Sequence, residues 1–441
     1  MTVNKKILLV EPNFPVPNKS KNHKDFLPVG LLKIGAMHEE KGNRVKLIRG
    51  ELTKKEIAQN GEDRWNVPDE IFITSLFTYW KPYVVDCVEH YKELFDDSYL
   101  DPVIKVGGIY ASLMKEDCEK IDGVDYVHKG VIKEAENFKP DYSLIEQNPE
   151  PLDYQIIHAS RGCPRGCEFC GVTEIEPKFE SEESIEEKMV KGKKKLVFYD
   201  NNLLMNENID DLLDELAKLK NEGKINWCES QSGFDGRVLV NKPNLAEKIK
   251  KAGFRYPRIA WDWGFKEHEK IKKQIDLLVD AGYTNKQIFI FMIYNWDFSF
   301  EEMEKKRIKC FEWRVQISDC RYRPLTKTFD NYNPRKYKHG QSKDDYHIHT
   351  KWGWTDEKVR RFRKNVRMQN ICVRHGFNFY SKDLERMRFS KEKIKKIMKK
   401  TEDFTSRQEK INYLEDEGVH YWFPDNITYP KKEGKKIEEY S

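Results

Sequence analysis

Ile156-Ile157-His158-Ala159-Ser160-Arg161-Gly162-Cys163-Pro164-Arg165-Gly166-Cys167-Glu168-Phe169-Cys170 is the stretch whose reading decides the fold. A short apolar run reads as a buried strand, and a C-x3-C-x2-C loop follows it directly. Three thiolates packed this tightly can all point at one object, and Gly162 and Gly166 free the backbone to curl around it. An iron-sulfur cluster is the object this spacing favours. Three ligands rather than four leave one iron of a 4Fe-4S cluster open to an exogenous molecule, which makes it a chemical site and not only an electron carrier. C-x2-C is also a zinc spacing, so a zinc site completed by His158 or Cys228 stays open at this point, as does a redox cysteine cluster. The third cysteine upstream and the aromatic Phe169 weigh against zinc.

Cys163, Cys167, Phe169 and Cys170, placed after a strand, resemble the signature of the radical S-adenosylmethionine (radical SAM) superfamily. The resemblance extends over about three quarters of the chain. It implies that the amino and carboxylate groups of SAM chelate the open iron and that Phe169 lies near the adenine. One-electron reduction would then cleave SAM to methionine and a 5'-deoxyadenosyl radical.

Composition sets the frame. The 441 residues leave ample room for a buried core and suggest two or three domains. At 38% hydrophobic and 35% charged residues the chain reads as a polar, non-membrane protein. Its longest apolar runs, such as Ile288–Ile293, are too short to span a bilayer, and the first ten residues read as a strand rather than a signal peptide. Of nine cysteines, Cys87, Cys118, Cys228, Cys310, Cys320 and Cys372 are scattered without pattern, which suits a reducing, cytoplasmic setting.

Ahead of the cysteines the expected elements alternate. Lys6–Val10 reads as a buried first strand, and Pro28 opens an amphipathic helix closed by Gly42. Arg44–Ile48, Glu70–Ser75 and Val103–Val106 are strand candidates, with a helix over 82–95. That alternation predicts a doubly wound, Rossmann-like α/β domain over residues 1–140. Ligands in such folds bind at the carboxyl ends of the strands. The candidates there are Pro12, Ser75 and Thr78, then Gly107 and Gly108 with Ile109 and Tyr110. This order of elements resembles the cobalamin-binding domain that precedes the cluster in one large radical SAM class, and these residues are the implied cobalamin contacts. The motif Asp-x-His-x-x-Gly after the first strand is absent, and His23 in that loop has the wrong flanking residues. The lower face of a cobalamin would then have no histidine ligand. A scaffold without the cofactor is the alternative.

Residues 141–155 read as a linker. Over 156–330 strands are expected at 195–199, 225–230, 258–261, 287–294 and 314–318, with helices near 182–190, 208–222, 244–252, 266–281 and 299–312. With the strand before the cysteines this makes six β/α repeats, matching the partial (β/α)6 barrel of radical SAM enzymes, with chemistry at the carboxyl ends of the strands. There the resemblance implies SAM contacts from Asp200, Asn201 and Asn202 and from Gln231, Ser232, Asp235 and Arg237, polar groups suited to an ammonium, ribose hydroxyls and a carboxylate. An Asx turn and a solvated loop are the bland alternatives. Trp261, Asp262, Tyr294 and Trp296 are candidate walls of a substrate cavity, or else aromatic rim packing.

Residues 331–441 form a basic, mostly helical C-terminal region. Residues 331–400 hold 21 Lys and Arg against 7 Asp and Glu, with Tyr332, Tyr337, Trp352, Trp354, Phe362 and Phe379 among them. A helix is expected to begin at Thr355-Asp356-Glu357. Such a charge balance suits a nucleic acid partner, or simply a solvated cap. His347 and His349 read as surface histidines, and Lys431–Ser441 as disordered.

The expected activity is a cobalamin-dependent radical SAM methyl transfer to an unactivated carbon, with 4Fe-4S, SAM and cobalamin as cofactors and a flavodoxin- or ferredoxin-like electron donor. Radical modification of RNA or DNA, a non-methylating rearrangement, and a non-enzymatic iron-sulfur or zinc protein are the rivals.

Overall fold

A computed structural model describes residues 4–15, 26–53, 67–95, 101–145, 152–332 and 345–425. His23, Pro149 and Pro151 of the linker, Tyr337 and the 431–441 tail lie outside the described residues. The chain groups into two compact units. One comprises 1–232 with 323–332 and 345–347, and the other comprises the remainder.

The first unit begins with a five-stranded parallel sheet. Its strands are β1 (Lys6–Glu11), β2 (Arg44–Arg49), β3 (Glu70–Ser75), β4 (Val103–Gly108) and β5 (Tyr126–Val127), in the order β2-β1-β3-β4-β5. Helices α1 (Val29–Glu40), α2 (Lys81–Phe95), α3 (Ile109–Leu113) and α4 (Lys133–Glu136) connect or follow them. β1 reads as one continuous apolar run because both of its faces are covered. Ile7 and Leu9 pack with Leu31 and Leu32 of α1, whereas Leu8 and Val10 pack with Val84, Val88 and Tyr91 of α2. The expected doubly wound fold is therefore present, and its strand order reverses between β1 and β3, the place where such sheets open a ligand crevice.

Gly108 closes β4 with φ +104°, and a Cβ there would stand 2.1 Å from the Ser75 carbonyl oxygen. Only glycine lets β3 and β4 approach so closely at their ends. Gly108→Ala is expected to cost about 3 kcal/mol of stability, read as a lowered urea midpoint.

A second sheet in the same unit runs β10-β9-β6, all parallel, from β6 (Tyr154–Ile157), β9 (Lys195–Phe198) and β10 (Trp227–Ser230). A small antiparallel pair, β7 (Ser160–Arg161) with β8 (Glu180–Ser181), brackets the cysteine loop, and α5 (Val172–Ile175) follows it. Helix α6 (Ile209–Asn221) links β9 to β10. The helix expected near 182–190 is reduced to a single 3-10 turn at Glu186–Lys188. Side chains take the backbone groups that a helix would use. Gln155 Oε1 accepts from the Val190 N–H at 2.7 Å, Gln155 Nε2 donates to the Val190 and Lys193 carbonyls, and Glu215 accepts from the Ile185 N–H.

The sequence gives no warning of the return of residues 323–332 to this unit. Phe329 forms an antiparallel bridge with Trp80, and the Arg323 guanidinium lies 4.1 Å from the centre of the Tyr79 ring.

The second unit holds a three-stranded parallel sheet, β11-β12-β13, from β11 (Arg258–Ala260), β12 (Phe289–Tyr294) and β13 (Gln316–Arg321). Helices α7 (Gly236–Asn241), α8 (Asn244–Lys251), α9 (His268–Asp280) and α10 (Phe300–Glu312) alternate with the strands. The six expected strands are thus present as two three-stranded parallel sheets, one in each unit, with the helix of the first repeat reduced to a turn. The C-terminal region is helical, as expected, with α11 (Asp356–His375), α12 (Lys391–Asp403) and α13 (Arg407–Asp416). Helix α11 starts where the capping residues put it: the Thr355 hydroxyl accepts from the Lys358 N–H, and Gly376 ends the helix at φ +74°. Many of the region's arginines meet carboxylates, including Arg360 with Asp356, Arg363 with Asp319, Arg367 with Glu385 and Arg388 with Asp383. Lys391, Lys395, Lys396, Lys399 and Lys400 remain exposed on α12. Among the described residues, no helix is long and apolar enough to cross a membrane.

Candidate active site around the cysteine loop

The cysteine loop leaves the carboxyl end of β6, and its surroundings differ sharply from those of most other thiols. Cys87, Cys118, Cys228, Cys310 and Cys372 are buried. Burial pushes the Cys87, Cys118 and Cys372 thiols up to about 12, so they are inert core groups. Cys163, Cys167 and Cys170 are only partly covered, and Cys320 is exposed. The loop starts with a tight fit. Gly162 stands at φ +72°, where a Cβ would be 2.3 Å from the Lys178 carbonyl oxygen. A turn then forms through the Cys170 N–H, which donates to the Cys167 carbonyl at 2.9 Å. Gly166 is open, with no heavy atom within 4 Å of where its Cβ would stand.

The polar residues after β9 surround this loop in three different ways. Asp200 is fully buried, and its Oδ1 accepts from the Ala159 N–H at 3.0 Å and the Ser160 hydroxyl at 2.7 Å. Asn201 Nδ2 donates to Glu176 at 3.0 Å. Asn202 Nδ2 donates to Cys163 Sγ at 3.7 Å. Asp200 is therefore a strut under the strand that launches the loop, while Asn202 addresses the first sulfur.

Burial raises the Asp200 pKa to about 6. Because this lies above the unfolded value, the stability the group contributes is complete below about pH 4 and is lost as the pH rises through about 6. Asp200→Asn keeps an acceptor oxygen and is expected to flatten that pH dependence. Asp200→Ala leaves a buried N–H and a hydroxyl without acceptors and is expected to cost about 2–4 kcal/mol, measured by urea unfolding at pH 5 and pH 7.

The residues fit an iron-sulfur cluster with an exogenous ligand. Three half-covered thiols stand on one loop, an amide points at one of them, and the buried Asn202 Oδ1 has no hydrogen-bond partner among the described residues. Among the described residues, no group of three or more His, Cys, Asp or Glu side chains is placed to hold a single metal ion. His158, a candidate zinc ligand, has its ring 6.3 Å from that of Tyr199, and burial holds its pKa well below the usual range.

At the carboxyl edge of the first sheet the candidates divide. Ser75 donates to the Gly107 carbonyl and accepts from the Ala111 N–H, Thr78 is buried, and Tyr110 is fully buried with its hydroxyl on Asp117. Pro12 stands just past β1, where its carbonyl accepts from the Phe14 N–H, and Ile109 is exposed. A Cβ on Gly107 would make an ordinary contact with His128 Cβ at 3.8 Å. His128 Nε2 is buried without a hydrogen-bond partner among the described residues. His128 is a residue the sequence reading passed over.

This edge touches the cysteine loop. A Cβ on Gly171, the residue after Cys170, would stand 2.9 Å from Leu113 Cδ2 of α3 and 3.4 Å from Leu325 Cδ1. A Cβ on Gly130 would be 3.1 Å from the Ile175 carbonyl oxygen of α5.

The remaining candidates have their own contacts within each unit. In the first unit, Gln231 Nε2 donates to Glu229, Ser232 is exposed and Phe169 is half-buried. In the second unit, Asp235 caps α7 and grips Arg237 through two hydrogen bonds, and Arg237 lies over the Trp263 ring. Trp261 and Tyr294 are fully buried and turn toward the helices. Trp261 stacks on Trp313, while Tyr294 packs on Trp354 and Phe362. Asp262 is partly exposed, and burial raises its pKa to about 6. Trp296 packs against Tyr322 and His349.

The cysteine loop leaves the carboxyl end of a parallel strand, inside a run of alternating strands and helices. Residues 157–306 match the Radical SAM superfamily. Two solved structures of the cobalamin-dependent S-adenosylmethionine radical enzyme OxsB are similar to the chain, one with aqua-cobalamin bound and one apo. The first matches at 16% identity and a TM-score of 0.45 over 72% of this chain and 53% of its own. The second matches at 16% and 0.44 over 70% and 51%. The chain spans about half the length of these structures. No curated protein matches it.

Proposed function

We propose that the chain reductively cleaves SAM at a 4Fe-4S cluster held by Cys163, Cys167 and Cys170, and that it uses cobalamin at the carboxyl edge of the first sheet for methyl transfer to an unactivated carbon. The observation that carries the cobalamin part is the packing of Gly171, next to Cys170, against Leu113 of the helix that leaves Gly107-Gly108. A cofactor at either place would share one patch of the molecule with the other.

When bound, the cluster supplies an electron to SAM and cobalamin supplies a methyl group. The chain's own residues do the rest. Asp200 fixes the strand end ahead of the loop, and Asn202 donates to the Cys163 sulfur. Phe169, Asn201, Asn202, Gln231 and Ser232, with Asp235 and Arg237, are the proposed SAM contacts. Asp262 is the proposed proton acceptor among the cavity candidates, since its partly exposed carboxyl is the group there nearest to neutral titration. A flavodoxin- or ferredoxin-like protein is the proposed electron donor. Residues 1–140 and 156–330 are the proposed cobalamin and radical SAM domains, joined by 141–155 and followed by 331–441.

The test is anaerobic reconstitution with iron and sulfide, with and without hydroxocobalamin, followed by SAM and a strong reductant. About four irons, one retained corrin and 5'-deoxyadenosine are expected. Iron and 5'-deoxyadenosine without corrin would reduce the first sheet to a scaffold and end the methyl-transfer reading. No iron would end the whole proposal. Nucleic acid as substrate is the second reading, supported by the exposed lysines of α12, and it requires polynucleotide binding that weakens steeply with salt.

A further inference from the structure

One carboxylate outside every motif stands at the first cysteine. Glu176, just past α5, accepts on Oε2 from the Gly162 N–H at 2.6 Å and from Asn201 Nδ2 at 3.0 Å. Its Oε1 accepts from Arg161 Nη1 at 3.1 Å. Gly162 immediately precedes Cys163. Asn201 immediately precedes Asn202, whose amide donates to Cys163 Sγ. A single side chain therefore holds the residue before this sulfur on one side and, on the other, the residue before its hydrogen-bond donor.

The grip is anchored. Arg161 also donates to Glu136, and Glu136 pairs with Lys33 of α1 at 2.8 Å. The Glu176 and Arg161 side chains are 13% and 22% exposed, so their attraction is less screened than that of a surface pair. Gly162 has little freedom to shift, given its left-handed backbone and its closeness to the Lys178 carbonyl.

We infer that Glu176 is a positioning residue of the cluster site: it sets Cys163 and the Asn202 amide as one unit and so tunes how readily a cluster bound there accepts an electron. The inference rests on the radical SAM reading. Hydrogen bonds donated to a ligand sulfur stabilise the extra negative charge of the reduced cluster, so losing one makes reduction harder. A carboxylate acting through its charge alone does the opposite, because removing a nearby anion makes reduction easier. The direction of the shift therefore separates positioning from simple electrostatics.

The experiment is a redox titration of the reconstituted protein without SAM, followed by EPR, with iron content measured on the same samples. Asn202→Ala, Glu176→Ala and Asn201→Ala are each expected to move the midpoint to more negative potential at wild-type iron content. At a fixed reductant potential near the midpoint, the ratio of reduced to oxidised cluster should fall by about tenfold for Asn202→Ala. The double variant Glu176→Ala with Asn202→Ala should lie no lower than Asn202→Ala alone. A positive shift or none in Glu176→Ala overturns the inference. If Glu176→Ala fails to retain iron, Asn201→Ala decides, and an unchanged midpoint there overturns it equally. A wild-type protein that takes up no cluster would instead overturn the radical SAM reading, so the two failures are distinct.

Discussion

Cys167→Ala is expected to lower iron from about four per chain to near none and 5'-deoxyadenosine to the level of the reductant blank. The loop offers three partly covered thiols, and removing the middle one leaves two ligands for a cluster that needs three. Nothing nearby in the sequence replaces it. Cys118 and Cys228 have no exposed surface, and burial pushes their thiols up, to about 12 for Cys118. Cys228→Ala serves as the control. It creates a small cavity in β10 and is expected to retain both iron and product. Iron and 5'-deoxyadenosine at wild-type levels in Cys167→Ala would mean that the cluster sits elsewhere.

Arg307→Met is expected to cost about 3–5 kcal/mol of stability, a large share of what a domain of this kind has. Arg307 and Glu304 on α10 are both completely buried and paired at 2.7 Å. The guanidinium also donates to Gln369 of α11 at 2.8 Å and to the Pro424 carbonyl, and Asn365 donates to Glu304 at 3.1 Å. One cation thus ties α10, α11 and the end of the described chain together. Removing it strands a carboxylate away from water and leaves two acceptors unmet. Replacing both members of the pair by apolar residues should recover much of the loss, because the penalty lies in the orphaned charge. Urea unfolding of the single and double variants measures both quantities, and a single variant within 1 kcal/mol of wild type would show that water reaches the pair.

The parts of this fold that were legible in the sequence are those where one chemical demand dominates. β1 is readable because Ile7, Leu8, Leu9 and Val10 are covered on both faces, and the cysteine loop is readable because its spacing serves one object. The aromatics at the strand ends were harder to read. Trp261 is buried while its neighbour Asp262 keeps partial exposure, and Trp296, two residues after the buried Tyr294, escapes the strand's alternation because the strand ends at Tyr294 and Asn295 takes φ +58°, a break that sequence alone does not announce. Glu176 lay beyond reach for a different reason. It meets Gly162 through a fold of the chain that joins residues 14 apart, on a stretch with no periodicity. The helix expected near 182–190 does not form because Gln155 and Glu215, far away in sequence, claim the backbone there.

The return of residues 323–332 has a consequence for how this chain can be taken apart. A fragment ending at Ser232 would carry all three loop cysteines and the whole first sheet, yet it would lack Phe329 against Trp80, Arg323 over Tyr79 and Leu325 beside Gly171. The cysteine-bearing half is thus completed by a splint encoded almost a hundred residues later. Any chimera that grafts this half onto another protein has to bring that splint along, and a cut between 232 and 323 separates the cysteine loop from part of its own wall.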